Sequence, residues 1–300
     1  MNNNLYPMET REKYRNNEFY KESIKLIKEF INDTLENDIE RLKTYCFKEL
    51  KTVERKYRHL KIKNWNFDCD DTALARAIYC VVWGYVFNLK EDEIGPHTKS
   101  PYRGDTMNSF NTLFGKEKKN GFAPKARTHG LDNKYMKQIK NFHKNYHTIG
   151  NFVLLPNNKN INGGRATFGD YFDLFLLEIM YIKDINEQKL KEEQKLVGQD
   201  KEKRKWFRLR LLENTFYKKY SMNQIKNLFF LDDYFNKEGE VEFIKIPKEI
   251  RFKKNKEKDE YKKLVSEFIS KSENVIANRS DKIIEVLKLE IAEAEKLGIQ

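Results

Sequence analysis

The longest apolar run of the chain, residues 77–87 (AIYCVVWGYVF), constrains the fold most. It is too short to span a bilayer, which takes about 20 apolar residues in a helix. It is long enough for a helix buried on all sides, and residues 70–72 (DDT) before it are typical of a helix N-terminus. The sequence therefore predicts a buried helix over 73–89 in the main core of a soluble protein.

Much of the remaining chain has the spacing of amphipathic helices. Charged residues make up 35% of the chain and hydrophobic residues 39%, a balance that suits solvated helices around limited cores. Apolar residues recur every three to four positions in two N-terminal runs: Ile24, Ile27, Ile31 and Leu35, then Ile39, Leu42, Cys46 and Leu50. This pair of helices would either pack in the ordinary way or form a partner-binding arm.

Further helices are expected over 132–145, 168–182, 206–217, 221–234 and 258–298, and a short one over 103–114 capped by Asp105 or Thr106. Residues 116–130 are expected to form a connection. Strands are expected over 147–156 and 240–246, where β-branched and aromatic residues concentrate. The predicted fold class is mainly α: a single helical domain with a small central β element. An N-terminal helical pair (1–64) precedes the main helical domain (65–300).

The chain is basic, with 58 Lys and Arg against 46 Asp and Glu and a net charge of +12. A basic surplus favours polyanions as partners, nucleic acid before an acidic membrane. The codon usage of an AT-rich genome would also enrich lysine. In residues 116–125 and 134–144, lysines alternate with Phe122, Tyr135 and Phe142. Such segments either follow a phosphate backbone while stacking bases or are plain solvated faces.

Three cysteines, Cys46, Cys69 and Cys80, are odd in number and lack a CxxC spacing. This argues against a disulfide framework and favours the reducing cytoplasm. The N-terminus has no apolar segment typical of a secretory signal, and we expect no membrane partner. His143 and His147 have the spacing of a zinc pair, but they lack standard acidic or cysteine partners.

Residues 147–175 (HTIGNFVLLPNNKNINGGRATFGDYFDLF) form the candidate site. Gly150 permits a sharp turn that Asn151 can hold, and the Asn/Gly-rich loop after it can present N–H groups to an anion. Arg165 offers a bidentate fork for phosphate or carboxylate. Asp170 and Asp173 lie three residues apart at a helix start and can point to one side. Alternatively, Asn and Gly only build a long loop, and Asp170 caps the next helix.

Several motifs resemble a widespread uncharacterised bacterial family, a domain of unknown function. They are GDT-x-NSF at 104–110, HTIGNF-x-LP at 147–156, N-x-x-R at 162–165 with DYFDLFL at 170–176, F-x-L-x-DYF at 229–235, and Asn278-Arg279. The resemblance covers about residues 95–282 and implies no established activity. Members usually have glycine after N-x-x-R, where this chain has Ala166.

Residues 149–155 (IGNFVLL), followed by Asn160 or Asn162, are also similar to the HNH-like nuclease half of modification-dependent restriction enzymes. That resemblance implies metal-dependent hydrolysis of nucleic acid. Such nucleases place an acidic-His pair upstream, and this chain contains no Asp-His or Glu-His dipeptide. His97 and His129 are poor substitutes.

We therefore expect a cytoplasmic bacterial protein that binds or processes nucleic acid, as a defence or toxin-type factor. If it is an enzyme, which the sequence leaves open, His147 would be a base or metal ligand, and the carboxylates of Asp170 and Asp173 would hold a divalent ion. The expected ligand or phosphate contacts are Asp105, Thr106, Asn108, Asn151, Asn162 and Arg165. The alternatives are a binding module for a small anionic, nucleotide-like ligand and a non-catalytic helical interaction protein.

Overall fold

The computed structural model describes residues 8–50, 69–94, 100–108, 114–118, 121–124, 133–156, 172–184, 219–241 and 258–299. These residues are mainly helical, which confirms the predicted fold class. The helices are α1 (Met8–Arg15), α2 (Glu18–Thr34), α3 (Ala73–Phe87), α4 (Asn133–Asn145), α5 (Phe172–Asp184), α6 (Met222–Leu228) and α7 (Lys258–Lys296). The predicted helix over 206–217 lies outside the described residues.

The chain forms two compact units. The first unit consists of Met1–Thr106, His147–Leu155 and Val275–Gln300, and the second of Met107–Tyr146 and Pro156–Asn274. The N-terminal helices belong to the first unit because α2 packs against α3 there. The apolar face of α2 that the sequence indicated, including Ile24 and Ile27, is fully buried.

Helix α3 begins where the sequence predicts. The Thr72 side chain caps it by accepting a hydrogen bond from the Ala75 N–H at 3.2 Å. The helix ends at Phe87, two residues before the predicted end, because Asn88 adopts a left-handed conformation with φ of 51°. Its apolar side chains, such as Ile78 and Trp83, lie in the core of the first unit as predicted.

The second of the two predicted N-terminal helices is not formed over residues 36–49. After α2 the backbone turns left-handed at Glu36 and Asn37, with φ of 56° and 62°. Asp38 then caps only a short 3-10 helix, Ile39–Lys43. Leu42 and Leu50 are nevertheless buried, so the apolar periodicity correctly indicated buried positions. It did not indicate the backbone conformation that buries them.

Two small sheets supply the β content of the described residues. In the first unit β1 (Tyr102–Thr106) pairs with β4 (Phe152–Pro156), which confirms the strand expected over 147–156. Strand β1 corrects the helix predicted over 103–114; of that range, residues 109–113 lie outside the described chain. In the predicted connection, β2 (Gly115–Lys118) and β3 (Gly121–Pro124) form an antiparallel hairpin.

Asp105 and Thr106, the predicted caps of a helix over 103–114, form other hydrogen bonds. This explains why the segment is a strand. The Asp105 carboxylate accepts a hydrogen bond from the next backbone N–H, that of Thr106, at 2.8 Å. The Thr106 hydroxyl donates to Asp70 at 3.2 Å. These bonds suit an extended segment that lies beside the start of α3.

The second unit has an aromatic core. Phe114, Phe142 and Phe268 are buried and meet edge to face, with ring centroids 5.7–6.0 Å apart. Ser221 caps α6 as predicted, with Gln224 completing a capping box, but this helix ends at Leu228 instead of reaching residue 234. Of the strand expected over 240–246, only residues 240 and 241 are described, and Val241 forms a bridge with Phe235.

None of the helices that the structure describes has both the length and the apolar character needed to cross a bilayer. The three cysteines are free thiols, and Cys69 and Cys80 are buried.

Candidate functional site

Two aspartates at the start of α3 bind strand β1. Asp70 and Asp71 belong to the 3-10 turn Cys69–Asp71, and the two residues are only 4% and 1% exposed. The Asp71 carboxylate accepts hydrogen bonds from Nε of Arg103 at 2.9 Å and from the N–H of Gly104 at 3.1 Å. A buried carboxylate is tolerated when a cation and hydrogen-bond donors compensate it in this way. This acidic pair therefore has structural contacts.

The backbone of Asp70 completes the same cluster. Its carbonyl accepts a hydrogen bond from the Tyr79 hydroxyl at 2.8 Å. Burial raises the pKa of Tyr79 well above its usual value, and the neighbouring aspartates raise it further, so this hydroxyl stays protonated and remains a donor. A Cβ on Gly104 would overlap the same carbonyl oxygen, so glycine is required where β1 passes the start of α3.

The HTIGNF segment is packed into the first unit. His147 is buried, and its carbonyl accepts a hydrogen bond from the Phe47 N–H at 2.9 Å. A 3-10 turn, Ile149–Asn151, follows and leads directly into β4. Asn151 is fully buried, and its N–H donates to the Thr148 carbonyl at 3.0 Å. The sharp turn expected at Gly150-Asn151 is therefore present.

Arg279 of α7 holds this turn. Its guanidinium is fully buried and donates to the carbonyl oxygens of Gly150 and, at 3.0 Å, of Phe152. A Cβ on Gly150 would overlap the Ile276 carbonyl and crowd the Ser280 hydroxyl. The Asn278-Arg279 element and the HTIGNF segment, which the family resemblance indicated separately, are thus two sides of one contact. The sequence did not indicate that Arg279 acts on the turn.

The predicted site residues are divided between the two units. Asp105, Thr106, His147 and Asn151 belong to the first unit, and Asn108 and Asp173 to the second. Asn162, Arg165 and Asp170 lie outside the described residues. In the first unit, Asp105 and Thr106 lie together next to the buried aspartate pair. The convergence of the whole set on one cavity stays a prediction.

In the second unit, two predicted residues are buried. The Oδ1 atom of Asn108 accepts a hydrogen bond from the Tyr234 hydroxyl at 3.2 Å. Asp173 lies in the first turn of α5, where a carboxylate is favoured by the helix dipole. The ranges that the model describes contain no group of three or more His, Cys, Asp or Glu side chains that could hold a metal ion.

Helix α4 separates its polar and apolar residues sharply. Ile139, Phe142 and His143 are buried in the second unit. The exposed face carries four lysines, Lys134, Lys137, Lys140 and Lys144, with Asn141 among them. We call these four lysines the lysine face. At about 100° per residue they occupy an arc of about 120°, roughly opposite the buried face.

Among the described residues, no acid forms an ion pair with the lysine face. None of its ammonium groups lies within ion-pair distance of a carboxylate in the described ranges, whereas two lysines in the adjacent part of α7 are paired. Lys262 lies 3.2 Å from Asp259, and Lys271 lies 3.1 Å from Glu267. Positive charge therefore accumulates on α4 and is balanced on the adjacent helix.

The aromatic residues expected among these lysines point elsewhere. Phe142 and Tyr146 are 0% and 4% exposed, so their rings are packed in the protein. The Tyr135 ring is half-buried, with the Lys262 ammonium 5.5 Å from its centroid. The prediction that aromatic rings between these lysines stack on nucleic-acid bases is therefore wrong for Phe142. In the other lysine-rich stretch, the Phe122 side chain is outside what the structure describes.

The chain matches no family model, no curated protein and no solved structure. The two family resemblances therefore rest on the motifs alone.

Proposed function

We propose that this protein binds nucleic acid through the lysine face of α4. The observation that carries the proposal is the row of four exposed lysines, none of which has a carboxylate within ion-pair distance among the described residues. Exposed lysines on a protein surface usually alternate with acids, as they do on α7. An uncompensated row produces a local positive potential that attracts polyanions.

The length of the row suits a phosphate backbone. Lys134 and Lys144 are ten residues apart, which corresponds to about 15 Å along a helix. Helix α4 is held in place by contacts with α7 in the second unit. Gln138 accepts a hydrogen bond from Ser266 at 2.9 Å, and Asn145 donates to Glu273 at 3.0 Å. The lysines therefore extend from a fixed scaffold, and each ammonium can displace a condensed counterion when it meets a phosphate.

The proposal covers binding and not catalysis. Of the residues predicted to act chemically, His147 and Asp173 belong to different units, and Asp170 is not described. The net charge of +12 supports the same partner class, since nucleic acid is the commonest polyanion for a basic protein.

The test compares two variants of equal charge. One carries K134Q, K137Q, K140Q and K144Q on the lysine face. The matched control carries K13Q, K25Q, K288Q and K296Q, at exposed positions of α1, α2 and α7. Both lower the net charge from +12 to +8 by removing four positive charges. Circular dichroism and urea unfolding show whether each variant is folded.

Binding of labelled nucleic acid is measured by fluorescence anisotropy over a salt series. If all four lysines contact duplex phosphates, their loss lowers the slope of log K against log salt by about 3 to 4, since each contact contributes about 0.9. The control variant should keep the wild-type slope. Equal weakening by both variants, or no binding by the wild-type protein, would overturn the proposal.

A further inference from the structure

We infer that the nucleic acid that fits the lysine face is a duplex contacted through its phosphates, and not a single strand held by stacked bases. This inference rests on the proposed function and specifies its substrate class. Three features of α4 support it: the exposed side carries no aromatic ring, the helix is fixed against α7, and that part of α7 carries acidic residues.

The outward side of α4 offers no ring for a base to stack on. Its exposed residues are Asn133, Asn141, Asn145 and the four lysines. Phe142 and Tyr146 face inward, and the Phe142 ring packs against Phe268 with centroids 5.7 Å apart. Proteins that bind single strands without sequence preference depend on aromatic platforms for much of their affinity. Helix α4 supplies only the electrostatic part of such a site.

The helix that carries the lysine row is fixed in place, and a duplex presents phosphates in a rigid array. Three contacts in register, Tyr135 with Lys262, Gln138 with Ser266 and Asn145 with Glu273, show that α4 and the first part of α7 run side by side in the same direction. A duplex carries one charge per about 1.7 Å of axis, so about nine phosphates pass along the roughly 15 Å of the row. A flexible single strand would have to be ordered to match it.

Acidic residues on α7 limit the width of the basic surface. Glu267 and Glu273 are part-exposed, and Asp259 is exposed, along the part of α7 that packs beside α4. Asp259 and Glu267 pair with Lys262 and Lys271, so this part of α7 adds little net positive charge and the basic surface narrows to the ridge formed by α4 itself. A helix with its side chains is about 10–12 Å across, which matches the roughly 12 Å major groove of B-form DNA. Lysines spread over the exposed arc can then reach phosphates on either side.

Counterion release gives the size of the expected preference. Each phosphate contact changes log K by about 0.9 per tenfold change in salt on a duplex and by about 0.7 on a single strand. If the two forms bind equally at about 1 M salt, four contacts therefore favour the duplex about sixfold at about 0.1 M salt. Base stacking would act in the opposite direction, since only unpaired bases are free to stack on a side chain.

The experiment uses the full-length protein and one sequence in several forms. Anisotropy titrations compare a labelled DNA duplex, an RNA duplex and each separate DNA strand at equal salt. The lysine-face variant and Tyr135→Leu, which removes the only part-exposed ring of α4, are titrated in parallel. Comparing the two duplexes establishes which backbone is preferred.

We expect one of the duplexes to bind at least about fivefold more tightly than either strand, the margin that counterion release supplies. Tyr135→Leu should leave this ratio unchanged, and the lysine-face variant should weaken binding of every form. Single strands that bind as tightly as the duplexes, or a Tyr135→Leu variant that loses single-strand affinity selectively, would overturn the duplex inference while the proposed function stands. Failure of the wild-type protein to bind any form would overturn both.

Discussion

Gly150 lies where the turn before β4 meets the backbone of α7 in the first unit. A side chain there would overlap the Ile276 carbonyl oxygen, which belongs to a helical backbone and has little freedom to move. Gly150→Ala should therefore destabilise the protein by about 2 to 4 kcal/mol, since overpacking a rigid contact costs at least 1 to 3 kcal/mol. The measurement is the midpoint of urea unfolding.

Two other glycines are matched controls. Gly239 and Gly298 have φ of 81° and 73°, and a Cβ on either would meet nothing within 4 Å. Alanine at these positions has only the left-handed backbone strain to overcome, about 1 to 2 kcal/mol. If Gly150→Ala unfolds at the same urea concentration as the controls, the close approach to α7 is not a stabilising contact.

At this scale the sequence predicted the turn but not its partner. Gly150-Asn151 has the composition of a sharp turn, and that local feature is present. Arg279 is 129 residues away from Gly150, and nothing in the local sequence of either indicates that one guanidinium satisfies two carbonyls of the turn. Such a partner is selected by tertiary packing, which local composition does not encode.

At the scale of elements, helices with strong periodicity and clear caps were predictable. Helix α3 has a continuous apolar run with a Thr72 cap, and α6 has a Ser221 capping box. Strand β1 was missed because Asp105 and Thr106 are also typical helix caps. Whether they cap a helix or extend a strand is decided by pairing with β4, about 50 residues away, and by bonds to Asp70. Non-local pairing of this kind has no local signal.

The contact between α1 and α3 predicts a loss of stability at high pH. The Tyr14 hydroxyl lies 3.0 Å from the Cys80 sulfur and donates to the Leu89 carbonyl. Burial raises the pKa of the Cys80 thiol from 9.0 to about 11. A pKa raised by folding means that the neutral thiol is favoured in the folded state. The contribution of this neutral thiol to the free energy of unfolding is therefore complete below pH 9 and is lost as the pH rises towards 11.

Cys80→Ser isolates this effect because serine keeps a hydrogen-bond partner for Tyr14 and does not ionise in this range. Between pH about 8 and about 10, the free energy of unfolding should fall about 1 kcal/mol further in the wild-type protein than in Cys80→Ser. Urea unfolding at each pH gives both profiles. Parallel profiles would show that Cys80 does not titrate on unfolding in this range. Burial also raises the pKa of Tyr14, which acts at still higher pH.

At the scale of the whole molecule, the net charge follows from composition, but the distribution of that charge over the surface does not. Composition alone left two interpretations of the 134–144 segment open: a nucleic-acid surface and a solvated face. Composition does not show where carboxylates lie relative to these lysines. In the part of α7 beside α4, Asp259 and Glu267 pair with Lys262 and Lys271 of the same helix at 3.1–3.2 Å, and no ion pair to the four lysines of α4 is found among the described residues.

The last prediction separates local charge from total charge. On a heparin column, which presents a regular polyanion, the lysine-face variant (K134Q, K137Q, K140Q, K144Q) should elute at lower salt than the control variant (K13Q, K25Q, K288Q, K296Q). Both variants have a net charge of +8, four less than the +12 of the parent chain. A row of lysines on one helix can engage several sulfates together, whereas scattered lysines engage them singly and lose little when removed. Elution of both variants at the same salt would mean that the basic character is spread over the surface, and α4 would then have no special role in binding polyanions.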